Sequence, residues 1–255
     1  MFIDTHAHTY HDQFDQDLDD MIQRSKDAQV DLVLLPNIDA STVVKMFQLC
    51  QKYNDHFRPM IGLHPCDVKE DYQDQLVQLK QYLDHDSVIA IGETGIDLYW
   101  DTTYKDQQIQ ALKIHIQWAK ELNLPIVLHT RESIDLTIDL IAEHQDGTLR
   151  GVFHCFGGST EQARRIMDLG FYMGIGGTVT FKNNKVLRDN LETIPLDSII
   201  LETDAPYLTP HPYRGKRNES SYIPLIAKTL SEIYMVNIDD IAAKTTDNAK
   251  KLFKI

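Results

Sequence analysis

Histidines and carboxylates at the ends of apolar runs are the residues of this chain that can hold metal ions. Near the amino terminus, Asp4-Thr5-His6-Ala7-His8 follows an apolar start and sets two imidazoles at alternate positions. In a β-strand alternate residues share a face, so His6 and His8 point the same way and make half of a divalent-metal site. The switch from apolar to polar recurs. Glu93 ends Ile89-Ala90-Ile91-Gly92-Glu93, His129 ends Pro125-Ile126-Val127-Leu128-His129, His154 ends Gly151-Val152-Phe153-His154, and Asp204 ends Ile199-Ile200-Leu201-Glu202-Thr203-Asp204. A single strand-end His commonly bonds a backbone carbonyl, and a strand-end Asp often caps the next helix. Four histidines and two carboxylates at one rim concentrate charge that needs cations to compensate it.

A catalytic zinc-type site uses about three protein ligands and keeps a position open for water. Six ligands therefore suit two ions, provided a carboxylate bridges them. Glu93 is the natural bridge, with His6, His8, Glu93 and Asp204 on one ion and Glu93, His129 and His154 on the other. Mixed imidazole and carboxylate donors fit Zn, Mn, Co or Fe, and Mg where waters complete the shell.

The elements that must position these residues are short β-branched runs alternating with amphipathic stretches. Strands are expected at 2–5, 30–36, 58–63, 88–92, 125–129, 151–154, 172–176 and 199–202, and helices at 17–28, 41–53, 104–122 and 159–169. Ser159 with Gln162 forms a capping box for the last of these, and Gly170 follows its end. Eight strands alternating with helices predict an α/β fold, a TIM (β/α)8 barrel, in which reactive residues sit at the carboxyl ends of the strands. An open doubly wound sheet would carry a glycine fingerprint after its first strand, and none is present. From Ser220 onward the pattern is helical and is expected to pack on the outside of the barrel. No linker or repeat divides residues 1–255, so one domain is expected.

Bulk properties narrow the function. The formal charge of −13 argues against a broad duplex-binding surface, but not against a nucleic-acid end entering a local pocket. Three scattered cysteines argue for a reducing, cytoplasmic setting, and no secretory signal or membrane-length apolar run is visible. Within this acidic chain Arg214, Lys216 and Arg217 concentrate positive charge after the eighth strand. Gly174-Ile175-Gly176-Gly177-Thr178 follows the seventh, where barrels often bind phosphate through backbone N–H groups.

The chain resembles the TatD family of metal-dependent hydrolases, among the amidohydrolase-like barrels. The matching stretches are Asp4-Thr5-His6-Ala7-His8, Gly62-Leu63-His64-Pro65, Gly92-Glu93-Thr94-Gly95-Ile96-Asp97, His129, His154-Cys155-Phe156, Glu202-Thr203-Asp204-Ala205-Pro206 and Arg214-Gly215-Lys216-Arg217-Asn218-Glu219. They occur in family order over most of the chain. The family usually has Pro after Arg-Asn-Glu, where this chain has Ser220. The resemblance implies a distorted barrel, one or two divalent metals on the residues named above, and phosphodiester hydrolysis, typically as a deoxyribonuclease of 3′-exonuclease character.

On this reading the metals activate a water, Asp204 takes its proton, and Glu93 bridges as a catalytic ligand. His64, held extended by Pro65, touches substrate or orients a ligand. Arg131 or the Arg214, Lys216 and Arg217 cluster neutralises phosphate charge. Glu202 shares a face with Asp204 and can support a ligand, or fill a barrel layer. Cys155 turns to the opposite face from His154 and is expected to be a buried hydrophobe. An aromatic among Tyr99 and Trp100 can stack on a base. The expected partner is a nucleic-acid end, single-stranded DNA foremost, with no membrane and no obligate protein partner. The alternative is another ester or amide, in a small molecule or a D-aminoacyl-tRNA.

Overall fold

The computed structural model describes residues 1–255. Eight strands, β1 (Phe2–Asp4), β2 (Val30–Pro36), β3 (Phe57–Met60), β4 (Ile91–Asp97), β5 (Ile126–Arg131), β6 (Gly151–Phe153), β7 (Tyr172–Ile175) and β8 (Ile199–Leu201), run parallel. Between them lie α1 (Leu18–Asp27), α2 (Val43–Lys52), α3 (Tyr72–Lys80), α4 (Lys105–Leu122), α5 (Ile134–His144), α6 (Thr160–Asp168) and α7 (Lys185–Leu191), with α8 (Ile223–Tyr234) and α9 (Ile238–Phe253) at the end. The capping box of α6 is present in both directions, from Gln162 N–H to Ser159 Oγ at 3.2 Å and from Ser159 N–H to Gln162 Oε1 at 2.8 Å. No helix is long and apolar enough to cross a membrane.

The strands form a TIM-type barrel with two thin seams. Continuous ladders join β1-β2-β3 and β4-β5-β6-β7-β8. No continuous ladder joins the two sheets, which are bridged at Ile61 with Ile91 and at Ala7 with Ala205. At the first seam Gly92 N–H donates to Ile61 O at 2.8 Å. At the second, Thr5 N–H reaches Leu201 O at 3.0 Å, Asp204 N–H reaches His6 O at 2.8 Å and His8 N–H reaches Ala205 O at 2.7 Å.

Several boundaries shift by one to three residues, the third strand ending at Met60 instead of 63 and the fifth running on to Arg131, and one shifts further. The fourth strand is not 88–92 but Ile91–Asp97, and every residue in it is buried. The apolar run ends at Gly92, but the ladder with β5 continues to Asp97, after a register slip between Ile91 and Thr94. Glu93 therefore lies within its strand. Asp204 in turn lies beyond the last residue of β8, at φ +58°, a left-handed conformation that Asp tolerates better than most side chains.

Alternation divides the core. Ile3, Leu34, Met60, Ala90, Val127, Val152 and Ile200 form the inner cluster, separate from the larger one between strands and helices. α8 flanks the barrel. α9 takes a more particular place, because its Ala249, Leu252 and Phe253 join the inner cluster. Asn248 Nδ2 donates to Leu196 O and Ile199 O, and Thr246 Oγ1 to Met1 O, which seats α9 at the amino-terminal ends of β8 and β1.

Candidate metal centre

Hydrogen bonds to the backbone set the donors at the opposite end. Asp4 lashes β1 to the segment after β8, because its carboxylate accepts Thr203 N–H at 2.9 Å, Thr203 Oγ1 at 2.6 Å and Ser220 Oγ at 2.7 Å. Ser220, the departure from the family's proline, thus supplies a hydroxyl that proline lacks. His6 and His8 leave β1 from this anchor.

The two oxygens of Glu93 face two sets of imidazoles. Oε2 lies 3.0 Å from His6 Nε2 and 3.4 Å from His8 Nε2, and Asp204 Oδ1 lies 3.8 and 3.6 Å from the same nitrogens. Oε1 lies 3.0 Å from His129 Nδ1, 3.4 Å from His154 Nε2 and 3.5 Å from His64 Nε2. All six residues expected to hold metal are brought together here, and His64 joins them.

The outer nitrogen of each ring decides what its inner nitrogen can do. Tyr10 donates its hydroxyl proton to Pro36 O at 2.7 Å, so its oxygen accepts from His8 Nδ1 at 3.1 Å. Asp97 Oδ2 accepts from His129 Nε2 at 2.9 Å, and Glu202 Oε1 from His154 Nδ1 at 3.0 Å. In its neutral form each of these rings carries its proton on the outer nitrogen and turns a free lone pair inward, as a metal ligand requires. His64 is the reverse. Its Nδ1 accepts Cys66 N–H at 3.1 Å, so its neutral form points an N–H into the site and donates. Tyr10 and Asp97 were missed from sequence. Tyr10 continues the alternation of His6 and His8, and Asp97 falls beyond a fourth strand that the apolar pattern ends at 92.

A family model described as TatD related DNase matches residues 3–254. The metal-dependent hydrolase YabD of Bacillus subtilis is 40% identical over 255 residues, spanning 100% of both chains. The metal-dependent hydrolase YcfH of Escherichia coli is 32% identical, over 99% of this chain and 96% of that one. Among solved structures, YjjV, a TatD homolog from Escherichia coli, matches with a TM-score of 0.94 at 31% identity, covering 100% of this chain and 98% of the other. The chain belongs to the TatD family. It is a metal-dependent hydrolase.

Electrostatics test whether this TatD centre fits cations. Burial alone would push the Glu93 carboxyl up, but His6, His64, His154 and His129 outweigh it and hold it well below the ordinary carboxylate range. Burial would likewise depress His8 and His154. Their carboxylate neighbours, Asp204 and Glu93 for one and Glu202 and Glu93 for the other, instead raise them to about 9 and about 10. His6 is pushed down by burial and by His154, on which its ring stacks at 3.8 Å. The pocket thus draws positive charge, while its rings cannot all be protonated side by side. Divalent cations satisfy that demand and release the protons. Asp97→Asn and Glu202→Gln should each weaken metal binding about 10–100-fold, read by competition with a chromophoric chelator. Unchanged affinity in both would refute the tautomer argument.

The expected substrate residues differ in their surroundings. Arg131 ends β5 on the rim, with its guanidinium 3.8 Å over the Tyr99 ring. Exposed Arg214 lies 3.7 Å over Phe181, and exposed Lys216 lies 5.4 Å from the Tyr213 ring. Arg217 is engaged within the TatD chain itself. It donates to both oxygens of Asp17, at 2.6 and 2.8 Å, to Glu219 at 3.4 Å and to Gln13 O at 2.7 Å. The glycine run has a packing explanation, since a Cβ at Gly174 would lie 2.1 Å from Glu202 Oε2 and one at Gly177 would lie 2.2 Å from Leu208 O. Cys155 is half-buried, at φ +48°, and its N–H donates to Glu202 Oε1 at 2.6 Å.

His115 braces the site from outside. Its Nδ1–H donates to Ala111 O at 2.7 Å and its Nε2 accepts Leu63 N–H at 3.0 Å, next to His64. Burial pushes it from 6.5 down to about 4. Below pH 6.5 the unfolded chain binds this proton and the folded one does not, so stability falls as the pH drops toward 4. Metal-free protein should lose roughly 2 kcal/mol through this group between pH 7.5 and 5. Urea midpoints of His115→Gln should show a smaller pH dependence by that amount, and an identical one would disprove the assignment.

Proposed function

We propose that this hydrolase cleaves phosphodiester bonds at nucleic-acid ends, as a deoxyribonuclease of 3′-exonuclease character using two divalent ions. The observation that carries the reading is Glu93, whose oxygens each face a separate set of donors. His6, His8, Glu93 and Asp204 would hold one ion, and Glu93, His129 and His154 the other. Ions held there supply Lewis acidity, lowering the pKa of the attacking water and neutralising phosphate charge.

The remaining work falls to side chains. Asp204 is 15% exposed against 2% for Glu93, so it is the carboxylate that can take a proton from the nucleophile and pass it to the leaving alkoxide. His64, with its N–H turned inward, donates to a substrate oxygen. Arg131, Arg214 and Lys216 present charge to the phosphate, whereas Arg217 braces the loop through Asp17.

That engagement of Arg217 favours a second reading, hydrolysis of an ester or amide in a less charged substrate, such as an aminoacyl ester. One panel separates the two: metal-free protein reloaded with Zn, Mn, Co, Fe or Mg and assayed on 3′-labelled single-stranded DNA, RNA and aminoacyl-tRNA. Cleavage of the labelled DNA from its 3′ end supports the first reading. Hydrolysis of the aminoacyl ester alone overturns it.

A further inference from the structure

Two aromatic side chains stand in solvent on the rim beside His129, Tyr99 at 50% and Trp100 at 69% exposure. Their rings meet edge to face at 4.8 Å, and the Arg131 guanidinium lies 3.8 Å over the first and 5.0 Å from the second. The rings contribute nothing to the core, yet the backbone carrying them is clamped. Asp97 Oδ1 accepts Tyr99 N–H at 3.0 Å and Trp100 N–H at 3.3 Å, while Oδ2 holds His129 Nε2. One carboxylate thus fixes both a donor of the metal centre and the segment that carries the rings. Arg131 pairs in register with Asp97 and lies two residues beyond His129.

We propose that Trp100, with Tyr99 and Arg131 packed against it, is a stacking subsite for the nucleobase adjoining the scissile phosphodiester. This rests on reading the centre as a phosphodiesterase. Arg131 lies over both rings, closer to Tyr99, and the Trp100 indole keeps the larger open surface. A flat ring accepts any base, but only a base that is out of its helix, so the subsite selects single-stranded or frayed ends. Arg131 adds a cation between the base and the donors around Glu93. The acidic remainder of the chain offers no continuous track for a long backbone, so recognition concentrates on the terminal nucleotides.

The test uses metal-loaded protein and short single-stranded oligodeoxynucleotides whose 3′-terminal unit carries a base or is abasic. Trp100→Ala should raise KM on the base-bearing end by about tenfold, with kcat little changed. It should bring the ratio of kcat/KM for base-bearing over abasic ends toward one, and Trp100→Phe should restore that ratio. A binding readout stands apart from turnover. Trp118 is 4% exposed, so quenching of indole fluorescence by a phosphorothioate-linked oligonucleotide reports Trp100. It should vanish in Trp100→Phe. No quenching at saturating oligonucleotide, or a base preference that survives Trp100→Ala, overturns the proposal. If no phosphodiester is cleaved with any metal, the phosphodiesterase reading fails. Quenching then still decides the subsite, supporting it when present and refuting it when absent.

Discussion

Replacing Glu93 with Gln should lower turnover on bis(p-nitrophenyl) phosphate on the order of 10³-fold, equivalent to about 4 kcal/mol in the barrier. The amide keeps the shape of the side chain and removes its charge. Oε1 and Oε2 each face imidazole nitrogens at 3.0 Å, so no rotation of an amide supplies two anionic donors. One substitution therefore touches both halves of the centre. On the two-ion proposal, metal content by mass spectrometry should drop from two ions per chain to one or none. A Glu93→Gln protein that keeps both ions and works within tenfold of the parent would rule out the bridging role.

The largest effect on stability is expected far from the chemistry. Phe253 is 3% exposed and ends α9, where it joins the inner cluster with Ile3, Leu34, Met60 and Val127. Phe253→Ala should cost about 3–5 kcal/mol, the transfer term plus the cavity left under the strands. Urea titration should move to a lower midpoint with an unchanged slope. A loss under about 1 kcal/mol would mean that α9 is not needed to close that end. Metal stoichiometry should be preserved in the surviving folded fraction, since the donors lie at the carboxyl ends of the strands.

Much of this was legible because a barrel strand carries its history in order: apolar while it is in the wall, polar where it emerges. His129 and His154 follow that rule, and the structure sets them on Glu93 as the spacing implied. The rule weakens where the emerging residue is itself buried. Glu93 looked like a strand end because it is charged, and the ladder past it to Asp97 was hidden behind that charge. Arg217 reads as available because Asp17 and Gln13, which hold it at the closest distances, lie in a segment whose approach no local pattern encodes. Periodicity likewise marked α9 as amphipathic without saying which surface its apolar face would meet. The tautomers of His8, His129 and His154 depend on Tyr10, Asp97 and Glu202, so they became readable only with the strands side by side.

The two seams bear on how the molecule assembles. Each sheet draws on one continuous stretch of chain, β1 to β3 and β4 to β8, so its ladders close comparatively short loops. Shutting the second seam joins Thr5 to Leu201, across nearly the whole polypeptide, and carries the largest loop-closure entropy. His6, His8 and His64 travel with the first sheet, and Glu93, His129, His154 and Asp204 with the second. The set His6, His8, Glu93 and Asp204 is divided between the two sheets, whereas Glu93, His129 and His154 all lie in the second. An ion at the His6 and His8 half of the centre therefore meets its full cradle only when the barrel shuts, and its tight binding is a receipt for finished folding.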